Sequence, residues 1–197
     1  MVDPGRRLET ERLLLRTLTL DDFDALYSYQ SRSDVARYLY WGPRTKDEVR
    51  VALEKKLAST AMRSDEDVLA LAVVLKATNE MVGDFILQLL SEEHRVAEIG
   101  FIVHPDHHGQ GYATEAGRAL LGIGFDELKL HRVIGRAEVR NVASARVLEK
   151  LGMRREAHFV ENEFVKGEWQ SELVYAILDW EWWGRERRST TSEGPDA

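Results

Sequence analysis

The segment EIGFIVHPDHHGQGYATEAGRALL, residues 98–121, carries the residue types and spacing best suited to chemistry. An apolar alternation runs into a short polar loop, and Gly109 and Gly111 then open a helical pattern with Ala116, Ala119, Leu120 and Ile123 on one face. A helix N-terminus presents several N–H groups without carbonyl partners and about half a positive charge, and glycines ahead of it let a bulky anion reach the backbone. The ligand that suits this pattern is a diphosphate. A dinucleotide fingerprint would need its third glycine at Thr114, and a P-loop would need a Lys-Ser/Thr pair after the glycines; the sequence has neither. On these residues alone, a loop that only caps a helix stands beside the ligand-binding reading. His104, Asp106, His107 and His108 crowd the same loop, but HPDHH has neither the HExxH spacing nor a recognisable fourth ligand, so no metal is expected.

The elements that must position this loop can be read on either side of it. RLLLRTL from Arg12 has strand length, and Thr19 with Asp22 opens a helix to about Gln30. A second helical stretch follows Ser33 and breaks at Trp41-Gly42-Pro43, and Thr45 with Glu48 forms a capping box ahead of a helix to about Met62. Val68 to Leu75, Met81 to Leu90 and Ala97 to Val103 then read as an antiparallel meander, with a turn at residues 78–80. After the loop come a helix from about Ala113 to Leu128 and a strand from Arg132 to Glu138. The next helix follows Asn141, with Ala143, Val147, Leu148 and Leu151 inward and Gly152 at its end. Strands near Met153 to Val160 and Leu173 to Leu178 close the pattern. The fold class is mixed α/β (α+β), with a mostly antiparallel sheet of six to seven strands flanked by helices.

The chain has 197 residues, 44% hydrophobic and 31% charged, which fits one domain over residues 8–183 with a polar, flexible tail over 184–197. With 34 acidic and 27 basic side chains the formal net charge is −7, which argues against a nucleic-acid partner and suits a cationic one. The absence of Cys excludes disulfides, cysteine-ligated zinc and a cysteine nucleophile. No apolar run approaches the ~20 residues of a membrane span, and MVDPGRRLET lacks a signal-peptide core, so a cytoplasmic protein is expected.

Two blocks resemble the GCN5-related N-acetyltransferase (GNAT) superfamily over about residues 8–180, and in particular its ribosomal-protein N-terminal acetyltransferase-like branch. His108-Gly109-Gln110-Gly111-Tyr112-Ala113 is similar to the superfamily's coenzyme A loop except at its first position, where His108 replaces Gln or Arg. NVASARVLEKLGM, from Asn141 to Met153, resembles the branch's second recurrent segment. The resemblance implies a sheet splayed at its centre and acetyl-CoA as cosubstrate. The pyrophosphate would be held by amides from Gly109 to Thr114. The pantetheine would pair like a strand with the backbone of Phe101, Ile102 and Val103. Asn141 and Ser144 would line the thioester end. Arg146 and Lys150, one helical turn apart beside Asn141, could reach a phosphate of the cosubstrate, with a solvated basic face as the plain alternative.

Moving an acetyl group from a thioester to an amine requires a neutral amine, a donor to the developing oxyanion and a proton for the departing thiolate. A free α-amine has a pKa of about 8 and a lysine about 10.4, so a base is needed. Period-2 alternation puts Glu98, Gly100 and Ile102 on one strand face, making Glu98 the first candidate for that base. A solvent-facing strand glutamate is the plain alternative, and Glu115, Glu161 and Glu163 are rivals. A backbone N–H near Ile102 could serve the oxyanion. By resemblance Ser144 is the acid for the thiolate, although a first-turn serine and an N-cap Asn141 would look the same. With no GxSxG and no Cys, direct transfer in a ternary complex is expected. The acceptor would be a protein N-terminal amine or a small amine, near Tyr38, Tyr40, Trp41 or Trp169. WEWW at 180–183 suits a contact between two copies or packing under the first helix. The alternative function is a non-catalytic acyl-CoA-binding module of the same fold.

Overall fold

Alternation of branched and aromatic side chains builds one eight-stranded sheet in a computed structural model, which describes residues 7–58, 62 and 64–184. The strands are β1 (Arg7–Glu9), β2 (Leu13–Thr17), β3 (Val68–Leu75), β4 (Met81–Ser91), β5 (Val96–Val103), β6 (Arg132–Glu138), β7 (Arg154–Val165) and β8 (Glu168–Leu178). Their order is β1-β2-β3-β4-β5-β6-β8-β7, and only β5 and β6 run parallel. Helices α1 (Phe23–Gln30), α2 (Ser33–Ala36) and α3 (Lys46–Ala58) lie between β2 and β3. Helix α4 (Tyr112–Gly122) precedes β6, and α5 (Val142–Lys150) follows it.

The sheet separates two cores. Leu69, Leu71 and Val73 of β3 face α4 and α5, where Ala116, Leu120, Ala145 and Leu148 join the larger cluster. Ala70, Ala72 and Val74 face α1 and α3, whose Leu26, Tyr29, Val49 and Leu53 form the smaller one. On that second face, the strands beyond β5 carry Arg136, Glu138, Gln170 and Glu172.

Most of the expected elements are present, and the departures have local causes. The eighth strand, β1, has three residues and one apolar side chain, too few for a period-2 signal; it exists because it pairs with β2. The helix opened by Thr19 begins as a 3-10 turn, with both arms of its capping box formed to Asp22. Thr45 and Glu48 form the expected reciprocal bonds ahead of α3, which ends at Ala58; its expected continuation over 59–61 lies outside the described residues, as does the tail over 185–197. Around α5, Leu148 and Leu151 are buried and Val147 packs partly against the larger core, as expected; Ala145 takes the inward place expected of Ala143, which the turn of the helix leaves exposed. β7 and β8 form a longer hairpin than the apolar runs suggest, turning at Lys166 and Gly167, both with positive φ. Trp182 packs against Phe125, ring centroids 5.8 Å apart, instead of under the first helix. Among the described residues no helix is long and apolar enough to cross a membrane.

The feature that positions the site is the parting of β5 and β6. They pair only at Val96/Arg132, Ala97/Val133 and Glu98/Ile134, and beyond that point β5 stays bonded to β4 and β6 to β8.

Candidate active site

The opening between β5 and β6 exposes main-chain groups that a continuous sheet would have paired. The amide of His104 donates to Val82 O on β4 at 2.8 Å, and the Ile102 carbonyl is turned toward Gly83. Alternation therefore points the N–H and C=O groups of Phe101 and Val103 into the opening and those of Ile102 into the β4 ladder. The amides near Ile102 that face the opening are thus those of Phe101 and Val103. The Val103 carbonyl is already engaged: His108 Nε2–H donates to it at 2.9 Å, tying the loop to the end of β5. The residue that departs from the family pattern therefore fastens the loop.

Gly109 and Gly111 have φ of +76° and +82°, a region that L side chains rarely occupy, and Gly111 is the N-cap of α4. A side chain at Gly109 would meet nothing within 4 Å, so the glycine answers to the backbone conformation and not to lack of room. Tyr112 and Ala113 supply the first amides of α4, which have no carbonyl upstream to take them. Thr114, expected to donate with them, instead gives its amide to Gly111 O at 3.1 Å, as a first helical turn does. A residue the sequence did not single out holds this loop from behind. Arg12 donates to Gln110 O at 3.0 Å, lies over the Tyr112 ring and pairs with Glu115 at 2.6 Å. Glu115 also accepts from Thr10 Oγ1 and the Arg12 amide, so this rival for the base is committed to the clamp.

Glu98 lies at the last β5–β6 pair, at the apex of the opening, with Gly100 and Ile102 on its face. Arg136 Nε of β6 is 3.2 Å from its carboxylate, and Arg136 Nη1 is 3.8 Å from Glu172 of β8. Burial raises the Glu98 pKa above the usual carboxylate range; Arg136 opposes this and Glu172 adds to it. Glu172 is raised in the same way, by burial first. Tyr40 donates to Glu172 at 3.4 Å, and burial, with the Glu163 and Glu172 carboxylates close by, pushes its phenol up. Glu161 lies in a bulge of β7 and is exposed. Trp169 shares the Leu173 face of β8 and packs on Phe164, away from Glu172, while Trp41 lies under the Arg44 guanidinium. Arg136 and Glu172 were missed: Arg136 is one of three charged residues in β6, and the apolar run read as the last strand begins one residue after Glu172.

At the other side of the opening, Asn141 Oδ1 accepts the Ser144 amide at 3.2 Å and so caps α5. Ser144 sits half-buried in the first turn, on the α4–α5 face of the sheet, and Glu98 lies on the opposite face. Arg146 and Lys150 are exposed; Lys150 borders a shallow groove of about 800 Å³ that also touches Gly111, Thr114 and Arg118 along α4. Among the described residues no group of His, Cys, Asp or Glu could hold a metal.

A sheet parted beside a helix-borne diphosphate cradle is the architecture of acetyl-CoA-dependent acyltransferases, and the free amides, the two positive-φ glycines and the helix N-terminus fit that cosubstrate. Residues 12–154 match the model of the Acetyltransferase (GNAT) domain, and the chain belongs to that family. It is 34% identical to the uncharacterised N-acetyltransferase YnaD of Bacillus subtilis, over 89% of this chain and 98% of that one. It is 27% identical to the spermidine N(1)-acetyltransferase of Vibrio cholerae, over 85% and 93% of the two chains. A GNAT-family acetyltransferase structure from Bacillus anthracis superposes with a TM-score of 0.80 at 36% identity, covering 88% of this chain and 99% of that one. The protein is an acetyl-CoA-dependent N-acetyltransferase.

Proposed function

We propose that the protein acetylates a small cationic amine, taken up on the α1–α3 face of the sheet, by direct transfer from acetyl-CoA in a ternary complex. The observation that carries this reading is Glu98 at the apex of the opening, between the exposed β5 backbone and the charged face of β6 and β8. Glu98, Glu163 and Glu172 oppose the guanidinium of Arg136 there, an excess of negative charge that favours an acceptor with more than one positive centre. The likeness to a spermidine acetyltransferase is compatible with that choice, and an equal likeness, 27% identity, to a putative ribosomal N-acetyltransferase of Bacillus subtilis leaves the decision to the charge of this face.

In this reading Glu98 takes the proton of the attacking amine, directly or through one water, and its raised pKa brings it nearer working pH. An amide of Phe101 or Val103 donates to the acetyl carbonyl oxygen, the C–S bond breaks as the C–N bond forms, and Ser144 gives a proton to the sulfur and recovers one from water. The amides of Tyr112 and Ala113 hold the diphosphate, and Asn141 fixes the first turn of α5.

The test is thiol release with a panel of diamines, polyamines, monoamines and short peptides, run on the wild type and Glu98→Gln. Turnover with diamines or polyamines that falls by about 10²-fold or more in the variant, with the KM for acetyl-CoA little changed, is the expected result. Wild-type rates in the variant would move the base elsewhere, turnover confined to peptides would replace the acceptor, and acetyl-CoA binding without turnover on the whole panel would favour the non-catalytic module.

A further inference from the structure

Arg136 is the one residue on β6 that reaches carboxylates on both neighbouring strands. Its Nε reaches Glu98 on β5 at 3.2 Å and its Nη1 reaches Glu172 on β8 at 3.8 Å. Register explains why. Glu98 pairs with Ile134 across the last bonded step, so Arg136, two residues on and on the same face, extends over the place where the strands part. On its other side Arg136 pairs with Val174, which sets Glu172 one step diagonally away. We propose that Arg136 is a positioning residue shared by Glu98 and Glu172, holding the Glu98 carboxylate at the mouth of the opening and dividing its charge between the two.

The remaining groups around Glu98 leave this role to Arg136. β4 faces it with neutral Gln88. On β6, Glu138 is bonded by the Arg140 amide and guanidinium, and Arg132 pairs with Glu156. Before α3, Tyr40 donates to Glu172, and Glu163 of β7 lies near that phenol. The two influences on Glu98 oppose each other: the guanidinium favours the ionised carboxylate, and the second carboxylate disfavours it. Removing them should therefore have effects of opposite sign, which a general loosening of the site would not produce.

This inference rests on the assignment of Glu98 as base only for its consequence in turnover, so the experiment reads the carboxyl group itself. Carbon-13-detected titration of the full chain labelled at glutamate carboxyls, with the Glu98 signal identified by its loss in Glu98→Gln, follows that group without any substrate. Arg136→Gln should move the Glu98 midpoint up by about one pH unit, Glu172→Gln should move it down, and Arg136→Lys, which keeps the charge, should stay near the wild type. Midpoints that stay put in both neutral variants, or that move the same way, overturn the proposal. The acid limb of thiol release is then recorded on the same variants. A limb that follows the titration supports both assignments, and a titration that shifts as expected while the limb does not leaves the Arg136 role standing and removes Glu98 as base.

Discussion

Ser144 separates two roles that a first-turn serine usually confuses. Its amide, not its hydroxyl, is what Asn141 Oδ1 accepts, so the cap of α5 survives loss of the side chain. Ser144→Ala should therefore leave thermal stability close to the wild type while slowing turnover by about 10²-fold, if the hydroxyl protonates the departing sulfur. Asn141→Ala removes the cap itself and should lower stability by about 1 kcal/mol. Calorimetry beside steady-state kinetics distinguishes them: a Ser144→Ala protein that keeps its rate would assign the proton to water, and one that loses stability would give the hydroxyl a structural part. Glu98 offers a similar contrast, because period-2 alternation alone grouped it with Gly100 and Ile102 on one strand face, which in the structure is the face opposite α4. That it meets a guanidinium and a second carboxylate depends on residues 38 and 74 positions further along the chain, brought near by two strand registers.

At the level of elements, the glycine loop makes a demand on its backbone that can be tested apart from its contacts. Gly111 holds φ of +82° as the N-cap of α4, and a side chain there would sit 3.5 Å from Arg12 Nη2, an ordinary contact. A β-branched residue at that angle costs roughly 1–2 kcal/mol, which the loop can relieve only by turning its amides. Gly111→Val should raise the KM for acetyl-CoA about tenfold or more, and Gly111→Asn, whose side chain tolerates the left-handed region, should raise it much less. Equal effects of the two would locate the cause in crowding against Arg12. The loop, the Thr19 cap, the Thr45–Glu48 capping box and the strands from β3 to β6 were legible because each is specified within a dozen residues by apolar period and caps. The rest was not, for physical reasons. β1 is held by partners and not by pattern, Ala143 turned outward because a cap fixes helical phase to one residue, and Arg12 reaches its loop across about a hundred positions. The bulge of β7 around Glu161, whose φ is +47°, answers to pairing with β8 and left no period to read.

Across the whole molecule, the face proposed to take the acceptor depends on how α1 and α3 are fastened to the sheet, and a buried acid does much of this. Asp84 of β4 is 2% exposed and lies on the α1–α3 face; it accepts from the Tyr29 hydroxyl of α1 at 2.5 Å and pairs with Lys56 of α3. One carboxylate thus joins three elements that bury the smaller core, and a charge that far inside is tolerated only because its partners are present. Asp84→Asn keeps the shape and removes the charge, which leaves the mostly buried Lys56 ammonium without its counter-ion. The expected loss is about 3 kcal/mol, or a fall in Tm of roughly 6–12 °C for a domain of this size. Adding Lys56→Met to that variant removes the stranded charge and should recover part of the loss, a non-additivity that independent sites would not give. The larger core and the glycine loop lie on the other side of the sheet, so the KM for acetyl-CoA should hold while the KM for the amine rises as α1 and α3 loosen. Scanning calorimetry of the two variants decides the point: a single variant within about 2 °C of the wild type, or a double variant less stable than the single, would mean that apolar packing and not this ion pair holds the helices down.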